Sequence, residues 1–182
     1  MCEECLSEYS NPGDRRYHAQ PIACPNCGPR VTFTSLNMPA QHGENAISHA
    51  RKYLKQGKII AIKGLGGYHI ACDAANESAV TALIERKKRS EKPLALMAFD
   101  EKSIRKYCHV GSIDSALLNS LPHPIVLLEK RGENLLPDML SIRQNTLGFM
   151  LPYTPLHLLM LEPEEGFPDV LVMTSGNLSE EP

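Results

Sequence analysis

The chain has 182 residues, 42% of them hydrophobic, with 19 Lys and Arg against 21 Asp and Glu and a net charge of −2. That is apolar material for one medium domain with a small appendage, and it excludes global disorder. The balanced charge, 5% aromatics and lack of Trp argue against a bulk electrostatic grip on nucleic acid and against a base-stacking platform.

The N-terminal region carries two short cysteine pairs, Cys2-Glu3-Glu4-Cys5 and Cys24-Pro25-Asn26-Cys27, with eighteen residues between them. A CxxC turn sets two thiolates on one side of a tight loop, and two such turns complete a tetrahedral site. Gly28 after the second pair lets backbone N–H groups fold toward sulfur. Residues 1–34 therefore read as a zinc-finger module with Cys2, Cys5, Cys24 and Cys27 as ligands. Four cysteines fill the tetrahedron, so the ion is structural rather than catalytic. The competing reading is a pair of disulfides. It is the weaker one, because the polar first twenty residues hold no signal-peptide core and a cytoplasmic setting is expected. Cys72 and Cys108 lie in apolar surroundings and read as buried small hydrophobes.

Residues 35–43 read as a linker, and residues 44–182 as an α/β domain. Ala46, Ile47, Ala50, Tyr53 and Leu54 share one helical face, with Gly57 as the stop. Ile59–Ile62 is a short buried strand. Asn76 caps a helix whose apolar face is Val80, Leu83 and Ile84. Leu94–Ala98 is a second strand, Asp100 caps a helix through Tyr107, and another helix covers Ile113–Ser120. Ile125–Leu128 is a third strand. Thr154-Pro155 opens a helix through Leu161, and Val170–Met173 is a fourth strand. No apolar run is long enough to span a membrane. The alternation argues for a mixed or largely parallel sheet, whose ligands gather at the carboxyl ends of strands.

Two segments sit at such ends. Lys63-Gly64-Leu65-Gly66-Gly67-Tyr68 combines glycines with a cation, as an anion site would, although a tight turn needs the same glycines. Thr174-Ser175-Gly176-Asn177 offers a hydroxyl and an amide, as a phosphate or carbonyl site would, but also as a plain capped turn would. Between them, Arg86-Lys87-Lys88-Arg89-Ser90-Glu91-Lys92 places five cations in seven residues before Pro93. This is either a solvated helix end or a cationic clamp for a polyphosphate. The histidines, His69 and His157 among them, read as scattered surface or core residues.

Taken in order, the cysteine segment with Arg15-Arg16-Tyr17-His18, Lys63–His69, Lys87-Lys88-Arg89, Leu151-Pro152-Tyr153-Thr154-Pro155-Leu156-His157 and Thr174–Asn177 resemble the HypF family of hydrogenase-maturation carbamoyltransferases over essentially the whole chain. The resemblance implies the second zinc finger of that family, followed by most of a YrdC-like domain cut short at its C-terminus. It implies an open twisted α/β sheet around a cationic cavity. There, carbamate derived from carbamoyl phosphate reacts with ATP and Mg2+ to give carbamoyl-adenylate and pyrophosphate. Neighbouring acylphosphatase and transferase domains would supply the carbamate and pass the carbamoyl group to a C-terminal cysteine of HypE. Lys87 and Arg89 match a Lys-x-Arg signature, and Ser175 and Asn177 a Ser-x-Asn signature, which implies catalytic roles. Lys63, Gly66, Gly67, Tyr68, Lys92 and Thr174 would hold the nucleotide. Lys63-Gly64-Leu65-Gly66 stands where the tRNA-modifying branch has Pro-Thr-Asp-Thr, and Met150 where it tends to have Arg, which counts against threonine as substrate. An RNA-binding or threonylcarbamoyladenosine-type module, or an inert fragment, are the other readings.

Overall fold

A computed structural model describes residues 1–36, 38–88, 92–132 and 135–177. The chain divides into two units, Met1–Ala46 and Ile47–Pro182.

In the first unit, helix α1 (Glu3–Ser10) begins directly after Cys2, its N-cap. Arg16 ties the following loop back: it pairs with Glu8 at 2.6 Å and donates to the Ala23 carbonyl. His18 takes a left-handed conformation and stacks on Tyr9 at 4.8 Å. Strands β1 (Thr32–Ser35) and β2 (Met38–His42) then form an antiparallel ribbon, Thr32 opposite His42. Within the span 35–43 expected as a linker, Met38–His42 is thus a paired strand. Pro39 masked the signal, yet a two-stranded ribbon consists only of edges, where proline costs no ladder hydrogen bond.

Helix α2 (Glu44–Lys55) leads into a six-stranded sheet. Its strands are β3 (Ile60–Lys63), β4 (Tyr68–Asp73), β5 (Ala95–Ala98), β6 (Val126–Glu129), β7 (Thr146–Met150) and β8 (Val170–Ser175). The order is β3-β4-β8-β5-β7-β6, with β5 and β7 parallel and the other neighbours antiparallel. The sheet is therefore mixed and mostly antiparallel. Strands β4 and β7 gave no clear period in the sequence, since β4 follows three glycines with His, Cys and Asp, and β7 contains Gly148.

Helices α3 (Glu77–Lys87), α4 (Glu101–Ile104), α5 (Ser112–Leu118) and α6 (Pro155–Leu161) follow local start signals. Asn76 accepts from the Ala79 N–H, Asp100 from Ser103 and Thr154 from His157. The helix expected to reach Tyr107 ends at Ile104, a single turn. One sheet face, with Cys72, Leu96, Phe149, Val170 and Val172, joins Val80 and Leu83 of α3, Ile104 and Leu118 in a continuous buried core. Each such large side chain contributes about 1.5–3 kcal/mol on burial. Cys72 and Cys108 are 0% and 1% exposed, as small core hydrophobes. Alternation turns Met173 to the opposite face. Arg51 of α2 clamps the end of α6, donating to the carbonyls of Leu159, Met160 and Glu162 and to Glu164.

Candidate functional site

In the first unit, the Cys2, Cys5, Cys24 and Cys27 sulfurs all lie within 4.8 Å of one another. Adjacent pairs stand at 3.5 Å (Cys2–Cys24), 3.7 Å (Cys5–Cys27) and 3.8 Å (Cys24–Cys27). A tetrahedral ion with metal–sulfur distances of about 2.3 Å needs sulfur–sulfur edges of about 3.8 Å. The separations exceed a disulfide bond of about 2.05 Å by far, and the disulfide reading is set aside. Local geometry makes the site. The Gly28 N–H donates to the Cys24 carbonyl at 2.7 Å, and a Cβ at Gly28 would stand 2.8 Å from that oxygen. Burial pushes the Cys5 thiol up to about 12, while hydrogen bonds with the backbone of Cys2 and Cys24 hold Cys27 down to about 6. A divalent cation supplies the charge that lets all four ionise together. The residues present fit zinc.

In the second unit, antiparallel pairing brings the two candidate loops to one end of the sheet. Lys63 lies opposite Tyr68, and His69 opposite Ser175. The glycine segment is a hairpin turn closed by the Gly64 N–H to the Gly67 carbonyl, 2.7 Å. Lys63, Gly66, Gly67 and Tyr68 are exposed on it, and the Lys63 ammonium lies 5.6 Å from the Tyr68 ring centre. The Gly176 N–H donates to the Tyr68 carbonyl at 2.7 Å, and a Cβ at Gly176 would meet that oxygen at 2.9 Å. Glycine is therefore required where the two loops touch. The Ser175 hydroxyl donates to the Asn177 side-chain oxygen. Lys87, the last residue of α3, donates to the carbonyls of Ser175 and Asn177 and so braces that turn. Arg89 lies outside the described residues.

Lys92, Thr174 and Ser175 line a cavity of about 730 Å³ on this part of the sheet. That volume suits a nucleotide-sized ligand. Leu65, Leu94, Ile125, Leu127, Met150 and Met173 give much of the lining its apolar character. A Cβ at Gly148 would stand 3.0 Å from Ile125, so this glycine preserves the depth of the floor.

The structure also assembles what the sequence reading left scattered. His69 and Tyr153 both line the cavity, and the His69 Nε2 to Tyr153 Oη distance is 2.6 Å. His157 lies beneath them, fully buried, its ring 4.5 Å from that of Tyr153 and 5.6 Å from that of His69. Burial, with His69 nearby, lowers the His157 imidazole to about 4, and burial also lowers His69. The signal was present: each histidine closes one of the distinctive segments, Lys63–His69 and Leu151–His157. Only a strand over Tyr68–Asp73 could have brought them together.

A metal-fitting finger followed by an open mixed sheet with a cavity at its strand ends defines a two-part, YrdC-like architecture, and comparison with known proteins agrees. The HypF finger family matches residues 1–34. The Sua5, YciO and YrdC family, described as telomere recombination, matches residues 52–182. The carbamoyltransferase HypF of Rhodobacter capsulatus is 50% identical over 182 residues, covering 100% of this chain and 24% of the relative. A solved full-length HypF in its phosphate- and nucleotide-bound form is 45% identical with a TM-score of 0.79, covering 100% of this chain and 23% of that one. The threonylcarbamoyl-AMP synthase of Bos taurus is 32% identical over 142 residues, 74% of this chain and 48% of the relative. The chain belongs to the HypF family and spans about a quarter of the length of the HypF relatives it matches. Among the described residues, no helix is long and apolar enough to cross a membrane.

Proposed function

We propose that the second unit is the carbamoyl-adenylate-forming domain of a cytoplasmic carbamoyltransferase for hydrogenase maturation. The observation that carries this reading is the cavity of about 730 Å³ bounded by Lys92, Thr174 and Ser175 beside the Lys87-braced turn. The HypF solved with phosphate and nucleotide covers this entire chain and supports it. ATP occupies the cavity, its base against the apolar wall and its phosphates toward Lys92 and the Ser-Gly-Asn turn. A carbamate oxygen attacks the α-phosphorus, the bond to the bridging oxygen breaks, and pyrophosphate leaves with the electron pair. Charge builds on phosphate oxygens, so fixed cations matter more than a general base. Mg2+ bound to the ATP would supply charge that offsets the leaving pyrophosphate.

Lys87 holds the Ser175–Asn177 turn in place, Arg89 adds a further positive charge for the phosphates, and Ser175 and Asn177 orient the acyl-phosphate. Lys63, Gly66, Gly67 and Tyr68 hold the nucleotide from the hairpin whose Leu65 lines the cavity, and Thr174 lines its wall. The finger binds one structural Zn2+ through Cys2, Cys5, Cys24 and Cys27. Acylphosphatase and transferase domains supply carbamate from carbamoyl phosphate and deliver the carbamoyl group to HypE. Greater identity to the HypF relative than to the threonylcarbamoyl-AMP synthase supports carbamate over the threonine-derived acid.

The test is a calorimetric titration of Mg-ATP into the wild-type chain and Lys92→Met. Removing a cation from its phosphate costs about 2–5 kcal/mol, roughly thirtyfold or more in affinity. Saturable binding that weakens this much in the variant is expected. No binding to the wild type, or equal binding to both proteins, overturns the assignment.

A further inference from the structure

The reaction as set out above does not use the His69–Tyr153–His157 cluster. The cluster is nonetheless built with care. A Cβ at Gly64 would stand 2.9 Å from the His69 ring, so the hairpin turn carries glycine where the imidazole folds over it. Strand pairing puts His69 opposite Ser175, and Tyr153 stands just ahead of α6, whose Thr154 cap also fixes His157. His157 is fully buried, and among the described residues neither of its ring nitrogens meets a hydrogen-bonding group. It braces the pair through ring edges alone, at a desolvation cost of about 1–3 kcal/mol per unpaired group. Near the pair, the cavity lining includes the apolar Leu94, Met150 and Met173. A polar pair fixed in such a wall is a specificity device, because a ligand lacking the matching group leaves it unpaired.

We propose that the Tyr153 hydroxyl, held in orientation by His69, accepts a hydrogen bond from the amino group of the carbamoyl moiety and so selects a carbamate over carboxylates that carry no hydrogen-bond donor at that position. The proposal rests on the nucleotide reading above. Burial keeps His69 a neutral imidazole and Tyr153 a phenol. With His69 Nε2 as the acceptor, the Tyr153 O–H is committed to His69, and its oxygen presents lone pairs to a donor in the cavity. Carbamate has such a donor, whereas acetate, with a methyl group in that place, has none. Tyr153 is the contacting residue and His69 a positioning residue.

The test uses two adenosine sulfamates differing in one group: one carries an N-carbamoyl substituent, the other an N-acetyl substituent in which methyl replaces the amino group. Calorimetry on the chain reads the ratio of their affinities, with AMP as reference. The wild type should prefer the carbamoyl compound about tenfold, the worth of one hydrogen bond. Tyr153→Phe, which keeps the ring contacts, should bring the ratio to one. His69→Gln, whose amide oxygen can still accept from Tyr153, should retain most of the preference, whereas His69→Leu should lose it. A preference that survives in Tyr153→Phe, or a wild type that binds AMP with equal affinity for the two sulfamates, overturns the proposal. A wild type that binds none of the three compounds refutes the nucleotide reading itself, and this proposal falls with it.

Discussion

His157 makes the stability of the second unit depend on pH in a window that can be worked out. The side chain is 0% exposed and its imidazole is lowered from 6.5 to about 4, first by burial and then by His69. The unfolded chain therefore binds a proton near pH 6.5 that the folded chain refuses until about pH 4. Stability is fully present above 6.5, falls as pH drops, and stops falling on this account near 4. Linkage gives a loss of about 2 kcal/mol at pH 5 and about 3 kcal/mol at pH 4. Glu101, hydrogen-bonded by Ser115 and Arg105, and Glu164, held by Lys55 and Arg51, titrate below their ordinary value, so their contributions fade only at lower pH. The assay is urea unfolding of wild type and His157→Phe at pH 7.5, 6, 5 and 4.5. Phenylalanine keeps the edge-on contacts with Tyr153 and removes the titrating group. With a urea slope of about 2 kcal/mol/M, the wild-type midpoint should fall by about 1 M more than the variant's between pH 7.5 and 5. Protonation of the finger cysteines is common to both proteins and cancels in the difference. Parallel midpoint–pH curves for the two proteins would refute the reasoning.

Arg51→Met removes a guanidinium that is 9% exposed, that meets three carbonyls and Glu164, and that lies 4.0 Å over the Phe167 ring. It should cost about 3 kcal/mol and lower the melting temperature by roughly 6–12 °C by scanning calorimetry, whereas Glu164→Gln, which removes only the more exposed partner, should cost under about 1 kcal/mol. Gly176→Ala forces a Cβ to within 2.9 Å of the Tyr68 carbonyl. It should part the two loops and weaken Mg-ATP binding at least about fivefold with an unchanged circular dichroism spectrum. Removing zinc with a chelator, or changing Cys24 to Ser, should abolish the protected amides of residues 3–27 in hydrogen exchange while leaving those of the six-stranded sheet intact. Metal analysis should return one zinc per chain before treatment.

Much of this protein could be read along the chain because its signals are local. The cysteine spacing, followed by Gly28 where a Cβ would strike the Cys24 carbonyl, already points to the metal cluster. Asn76, Asp100 and Thr154 announce helix starts because each cap acts within three residues. The glycine segment and the Ser-Gly-Asn turn could be placed at strand ends for the same reason. What the sequence alone left undecided was every pairing across distance. Strands β4 and β7 carry glycine, histidine and aspartate where a periodic strand would not, and their hydrogen bonds come only from neighbours remote in sequence. The ribbon β1–β2 hid behind Pro39, which an unpartnered edge tolerates. Lys87 reads as a free phosphate ligand until the fold shows its ammonium on the Ser175 and Asn177 carbonyls. His69, Tyr153 and His157 are isolated residues until β4 is placed against β8 and the turn into α6 is closed. Caps, turns and CxxC loops are decided by sterics and hydrogen bonds within a few residues. The cavity and its polar pair are decided by strand register, which depends on burying one whole face of the sheet at once.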